Sequence, residues 1–189
     1  ALYRPPALVL LLSPSLRQSS ELFRKVADLY RRVATEIPSE AESSLRLELS
    51  NGSRIVSLPG KEQTIRGFSG VDLLVVDEAA RVPDDLYNAV RPMLAVSGGR
   101  LVLLSTPFGK TGFFYTTWTE GGSGWLRVKV TAKDCPRISP EFLEEERHTL
   151  GPWWFRQEYL CEFEDSETQV FPSDLIRSAV YEGVKRWEL

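Results

Sequence analysis

Three short, uninterrupted apolar runs constrain this chain more than any other feature: Ala7 to Leu12, Leu73 to Val76 and Leu101 to Leu104. A continuous run of that length, rather than an alternating one, is the pattern of a strand buried on both faces of a parallel sheet. Each run stops at polar residues, namely Ser13-Pro14, Asp77-Glu78 and Ser105-Thr106-Pro107. Between them lie helical patterns. After a cap at Ser19 or Ser20, Leu22, Phe23, Val26, Leu29, Tyr30 and Val33 follow the 3.6-residue period until Pro38. Pro83-Asp84-Asp85 opens a second helix running to about Leu94, with acidic groups at its positive end. Strands alternating with helices predict an α/β fold with a largely parallel sheet flanked by helices. In such sheets the chemistry sits beyond the carboxyl ends of the strands. The three polar strand ends are therefore where function is sought.

The rest of the chain fits around this frame. Leu45, Leu47 and Leu49 alternate before Asn51-Gly52, and Ile55-Val56-x-Leu58 follows, which is a strong β-hairpin signal. Short helices are expected from Gly112 to Trp118, from Ser139-Pro140-Glu141 to Thr149, and from Trp153 to Leu160, the last two separated by Gly151-Pro152. Trp125-x-Arg127-Val128-x-Val130 reads as a further strand, and Asp174 to Tyr181 as a marginal terminal helix. At 189 residues and 42% hydrophobic, the chain has enough apolar material for one core without staples. Cys135 and Cys161 are too few for a disulfide framework, lack His or CxxC company for zinc, and fit a reducing compartment. The longest apolar run falls far short of the ~20 residues that span a bilayer, and no secretory leader opens the sequence, so no membrane partner is expected. Net charge is −3, distributed as +3 over residues 1–70, 0 over 71–130 and −6 over 131–189. That excludes a uniformly basic nucleic-acid binder and leaves the front two thirds permissive for a polyanion.

Asp77-Glu78 at the end of an apolar strand has the form of a Walker B motif. Mg²⁺ takes oxygen from one or two carboxylates while keeping several waters, and a second carboxylate can orient and deprotonate the water that attacks a γ-phosphate. Ser105-Thr106-Pro107 ends the next apolar strand and matches the small-hydroxyl motif with which helicase-like ATPases sense the γ-phosphate. Upstream, Arg66 in Thr64-Ile65-Arg66-Gly67 has the charge that an arginine finger offers to a γ-phosphate, worth ~10³–10⁵ in rate. A surface arginine fits the same residues.

Taken together, the segment from Thr64 to Tyr115, with its Ile65-Arg66-Gly67, Asp77-Glu78-Ala79-Ala80 and Ser105-Thr106-Pro107-x-Gly109 stretches, resembles the ATPase domain of tailed-bacteriophage terminase large subunits. The Trp153-Trp154-Phe155-Arg156-Gln157-Glu158-Tyr159-Leu160-Cys161-Glu162-Phe163 segment is similar to the one that closes that domain. The resemblance covers nearly the whole chain. It implies a P-loop NTPase fold of the RecA/ASCE kind with a β-hairpin insertion. It implies Asp77 as the Mg²⁺ residue through water, Glu78 as catalytic base, Ser105 and Thr106 as coupling motif, and Arg66 as an arginine finger acting on a neighbouring subunit. It also implies ATP as nucleotide, double-stranded DNA, a portal protein and the terminase small subunit as partners, self-association into a ring, and action in the cytoplasm of a bacterial host. Ser13-Pro14-Ser15-x-Arg17-Gln18 looks like the segment after the family's second core strand, with a phosphate-facing role.

One part of that pattern does not occur in these residues. The phosphate loop G-x-x-x-x-G-K-[ST] finds only Gly109-Lys110-Thr111, and the position of its first glycine is Leu104. Gly109-Lys110-Thr111 therefore reads as a loop entering a helix. The resemblance places the phosphate loop upstream of the Ala7 to Leu12 strand and a nuclease domain after Leu189, so the residues correspond to the C-terminal three quarters of an ATPase domain. Residues 1–171 are read as that partial domain and 172–189 as a linker. Weak ATP binding by the chain alone follows, as do exposed strand edges. A helicase-type ATPase and a non-catalytic assembly module are the alternatives. His148 is read as a surface residue, and Trp153 and Trp154 as packing residues.

Overall fold

The computed structural model describes residues 1–33, 36–60, 67–165, 170–171 and 173–180. Its sheet is built from β1 (Leu8–Ser13), β2 (Ser39–Glu42), β3 (Arg46–Leu49), β4 (Arg54–Pro59), β5 (Leu73–Asp77) and β6 (Arg100–Leu104), in the order β2-β3-β4-β1-β5-β6. β4, β1, β5 and β6 run parallel, while β2-β3 and β3-β4 are antiparallel. The Asn51-Gly52 hairpin forms as expected, with Gly52 at φ 78. Its second strand is also a core member, because β4 pairs with β1 along six residues from Leu8↔Arg54 to Ser13↔Pro59.

β1 is the centre of the fold, and all six of its residues are buried. Its period of two sends Val9 and Leu11 to one face, where they cluster with Phe23 and Ala27 of α1 (Leu16–Val33) and with Leu47 and Leu49. Leu10, Leu12, Leu74 and Val76, each 0–1% exposed, line the opposite face. Each such side chain contributes roughly 1.5–3 kcal/mol on burial. Two reciprocal hydroxyl bonds fasten α1 to β4: Ser19 Oγ donates to the Leu58 carbonyl and Ser57 Oγ to the Ser19 carbonyl, both at 2.9 Å. Ser19 is thus a buried helix-interior residue, and α1 starts earlier than the sequence suggests. Ser15 Oγ accepts from the Gln18 amide at 3.3 Å instead.

Two compact units make up the chain. The first comprises Ala1–Thr106 with Gly112–Leu126 and holds the sheet. Within it, α2 (Asp84–Val90) follows β5, and α3 (Gly112–Glu120) follows β6. Asp84 Oδ1 accepts from the Phe113 amide at 2.8 Å, and the Tyr87 and Phe113 rings stack 3.9 Å apart. The second unit comprises Pro107–Thr111 and the residues from Arg127 on. Its main element is α4 (Pro140–Leu160), broken at Gly151 (φ 76, ψ 166) where Gly151-Pro152 predicts a break. Ser139 caps it by accepting from the Phe142 amide, and Tyr159 donates to Glu146 at 2.8 Å across the break. A short α5 (Ser173–Ala179) closes the described residues. No helix among them is long and apolar enough to cross a membrane.

Two expectations are corrected, and one strand forms that the sequence does not predict. β6 is an edge strand rather than a doubly buried one: Val102 is 38% and Leu104 48% exposed. Its apolar run matches burial, but among the described residues only β5 pairs with it. The segment from Trp125 to Val130 joins no ladder, and Leu126, Val128 and Val130 are 62–90% exposed. Its alternation suits a strand, and a strand needs a neighbour. Conversely, β2 forms without an apolar signal, because Ser39-Glu40-Ala41-Glu42 is polar and exposed throughout.

Candidate functional site

The order β1-β5-β6 sets the carboxyl ends of three parallel strands side by side. Ser13-Pro14-Ser15, Asp77-Glu78 and Ser105-Thr106 therefore line one rim of the sheet, in register through Leu12↔Val76 and Asp77↔Leu104. The rim is tightly built at β1. A Cβ at Gly60 would stand 3.1 Å from the Pro14 carbonyl oxygen, so a side chain at the end of β4 would require that loop to give by a few tenths of an ångström. Ser13 is fully buried and its hydroxyl has no hydrogen-bond partner among the described residues.

Asp77 closes β5 with its side chain half-buried and without a hydrogen bond or ion pair among the described residues. Glu78 then leaves the pleat in the left-handed region, φ 51 and ψ 43, a conformation that costs a non-glycine residue ~1–2 kcal/mol. The change of hand lets two consecutive carboxylates approach one side of the rim, which an unbroken strand forbids. A 3₁₀ turn from Ala79 to Arg81 follows, anchored by the fully buried Ala79.

That turn is bound to the end of β6 twice. The Ala80 amide donates to Ser105 Oγ at 3.2 Å. Arg81 Nη1 lies 3.3 Å from Glu78 Oε2 and 3.5 Å from Thr106 Oγ1. The acidic motif and the Ser-Thr motif, 27 residues apart in sequence, are thus one hydrogen-bonded assembly. A hard ion such as Mg²⁺ needs few protein ligands, and the Asp77 carboxylate, unengaged among the described residues, is of the type that could hold one through water. Arg66 falls outside the described residues, and Arg81 is the residue that sequence reasoning missed. Its spacing of three from Glu78 was the available signal.

Gly109-Lys110-Thr111 is a loop with Gly109 at φ 73, and Lys110 pairs with Asp165 at 3.4 Å. His148 is exposed and lies 3.1 Å from Glu144. Trp153 donates its indole N–H to the Asp165 carbonyl and packs edge-on against Trp154. In the same unit, burial pushes the Cys161 thiol up, with Lys129 opposing and Glu158 adding to it. The hydrogen bond to Glu146 raises the Tyr159 phenol. The Thr131 hydroxyl and amide lower the Asp134 carboxyl in a capping box.

Comparison with known proteins points one way. The family model described as terminase large subunit, T4likevirus-type, N-terminal, matches residues 2–178. The chain is 27% identical over 176 residues to the terminase large subunit of Escherichia phage T5, a match covering 90% of this chain and 40% of that protein. It is 26% identical over 204 residues to that of Thermus virus P23-45, covering 89% and 42%. The chain therefore spans about two fifths of the curated relatives it matches. Among solved structures, the large terminase ATPase domain of Thermus phage P74-26 superposes with TM-score 0.71 at 23% identity, over 85% of this chain and 78% of that one. The large terminase of a thermophilic bacteriophage, in its complex with ATP-γ-S, gives 0.66 at 14% identity over 85% and 41%. These likenesses establish the fold.

Proposed function

Since the chain belongs to the terminase large-subunit family, we propose that it carries the Walker B and coupling half of an ATP-driven DNA-packaging motor. In this reading Asp77 holds Mg²⁺ through water, and Glu78 orients and deprotonates the water that attacks the γ-phosphate. Ser105 and Thr106 relay the state of that site along β6, and Arg66 serves as arginine finger towards a neighbouring subunit in a ring. ATP is the fuel and double-stranded DNA the cargo, with the portal protein and small subunit as partners in the host cytoplasm. Mg²⁺, when bound, neutralises charge developing on the phosphate oxygens. Residues 1–171 act as the ATPase part and 172–189 as a linker.

The observation that carries this reading is the hydrogen bond from Ala80 to Ser105, which joins the two motifs at adjacent parallel strand ends. The exposed edge of β6 supports it further. A phosphate loop comes as a strand, a glycine-rich turn and a helix. A parallel strand added beside β6 would pair the edge that has no partner among the described residues, and the helix would cover Val102 and Leu104, which share the face that α1 occupies over β1. The loop's amides and lysine would then face Asp77 and Glu78.

The test is single-turnover ATP hydrolysis by the intact large subunit containing these residues. Glu78→Gln is expected to slow turnover by at least ~10²-fold, in the range of a removed general base, while nucleotide binding persists. Wild-type turnover in that variant would refute the assignment.

A further inference from the structure

The Arg81 side chain touches both motifs. Its Nη1 reaches the Glu78 carboxylate at 3.3 Å and the Thr106 hydroxyl at 3.5 Å, and its own turn is pinned by Ala80 on Ser105 Oγ. Glu78 makes no capping bond to that turn, although it occupies the N-cap position. The backbone alone therefore does not fix where its carboxylate points. The left-handed backbone turns Glu78 out of the strand, and the guanidinium then selects among its rotamers.

We propose that Arg81 is a positioning residue that aims the Glu78 carboxylate and ties that aim to Thr106. This deepens, and rests on, the reading of Glu78 as the base. A glutamate has three rotatable bonds, and in-line attack requires its oxygen within hydrogen-bond reach of one water. A misplacement of about 1 Å costs ~10²-fold in rate. Because the same nitrogen accompanies Thr106, a displacement of the β6 end moves the carboxylate with it. The base and the coupling motif then respond as one element, without contact between their own side chains. Asp84 and Tyr87 hold the following helices together through Phe113, so the turn is pulled against a braced support.

Two measurements test this. In the intact large subunit, Arg81→Ala should lower kcat for ATP about 10- to 100-fold with KM changed less than about threefold. Arg81→Lys, which supplies a charge at similar reach, should recover most of the loss. In the 189-residue chain, Arg81→Ala should speed hydrogen exchange of the Ala80 amide several-fold, and Arg81→Lys should restore it. Wild-type kcat in Arg81→Ala overturns the proposal, as does a parallel loss in both variants with lowered melting temperature. Glu78→Gln is the parallel control. If it retains wild-type turnover, the reading of Glu78 fails; if it is inactive while Arg81→Ala is not, only the role of Arg81 fails.

Discussion

Replacing Gly99 with alanine should destabilise the sheet more than any other single methyl addition in the turn before β6. A Cβ there would lie 1.9 Å from the Val71 carbonyl oxygen, 3.0 Å from its carbon and 2.8 Å from Leu94 Cδ2. The leucine methyl can swing away. The carbonyl cannot, because Val71 is fully buried, its amide donates to the Met93 carbonyl, and its oxygen accepts from Ser97 Oγ at 2.5 Å. Reaching even the closest tolerated approach requires about 1 Å of backbone movement, at roughly 1–3 kcal/mol for overpacking. Loss of the Ser97 bond adds about 1 kcal/mol. The expected total is ~3 kcal/mol, which at a urea m-value of ~2 kcal/mol/M lowers the unfolding midpoint by about 1.5 M. Gly98→Ala is the internal comparison. Gly98 has φ 60 but nothing within 4 Å, so alanine there meets only the left-handed strain of ~1–2 kcal/mol. Equilibrium unfolding in urea, followed by far-UV circular dichroism, separates the two. A Gly99→Ala midpoint at or above that of Gly98→Ala would refute the reasoning.

Other consequences are open to measurement. The isolated chain should associate through β6, where Val102 and Leu104 are 38% and 48% exposed. Val102→Lys should shift its sedimentation towards monomer, and a monodisperse monomer in the unmodified chain would count against the open edge. Asp84→Ala removes the acceptor of the Phe113 amide and should cost about 1 kcal/mol in urea unfolding, with Asp84→Asn recovering most of it. No loss in Asp84→Ala would show that α2 and α3 do not depend on that bond. Burial raises the Cys161 thiol, so its alkylation should rise with pH at a midpoint above the ~8.5 of a free cysteine. Because the folded state favours the neutral thiol, its contribution to stability is full below the unfolded value and is lost as pH climbs through the folded one. A midpoint at or below the free value would contradict the burial.

What the sequence reveals here depends on whether a residue's environment is local. β1 and β5 are legible because their neighbours on both sides lie within these residues. β6 carries the same continuous apolar signal and the segment from Trp125 to Val130 an alternating one, yet both stand exposed, since burial is a property of the neighbour as much as of the strand. Ser19 looks like a cap by composition and is a buried hydroxyl bonded to β4, a contact that depends on how α1 crosses the sheet. The break at Gly151-Pro152 is readable because both residues act on their own backbone. Asp77, Glu78, Ser105 and Thr106 stand out as motifs. The Arg81–Glu78 contact has a local spacing of three, whereas the Arg81–Thr106 contact depends on β5 lying beside β6, which the sequence does not spell out.

The central claim is that these residues hold the acidic and coupling parts of an ATPase site and require a phosphate loop from outside them. Calorimetric titration with Mg·ATP tests it most directly. The 189-residue chain alone should bind more weakly than ~1 mM, and the same chain preceded by a G-x-x-x-x-G-K-[ST] strand, turn and helix at least ~100-fold more tightly. Binding by the chain alone at ~10 μM or better would contradict the account.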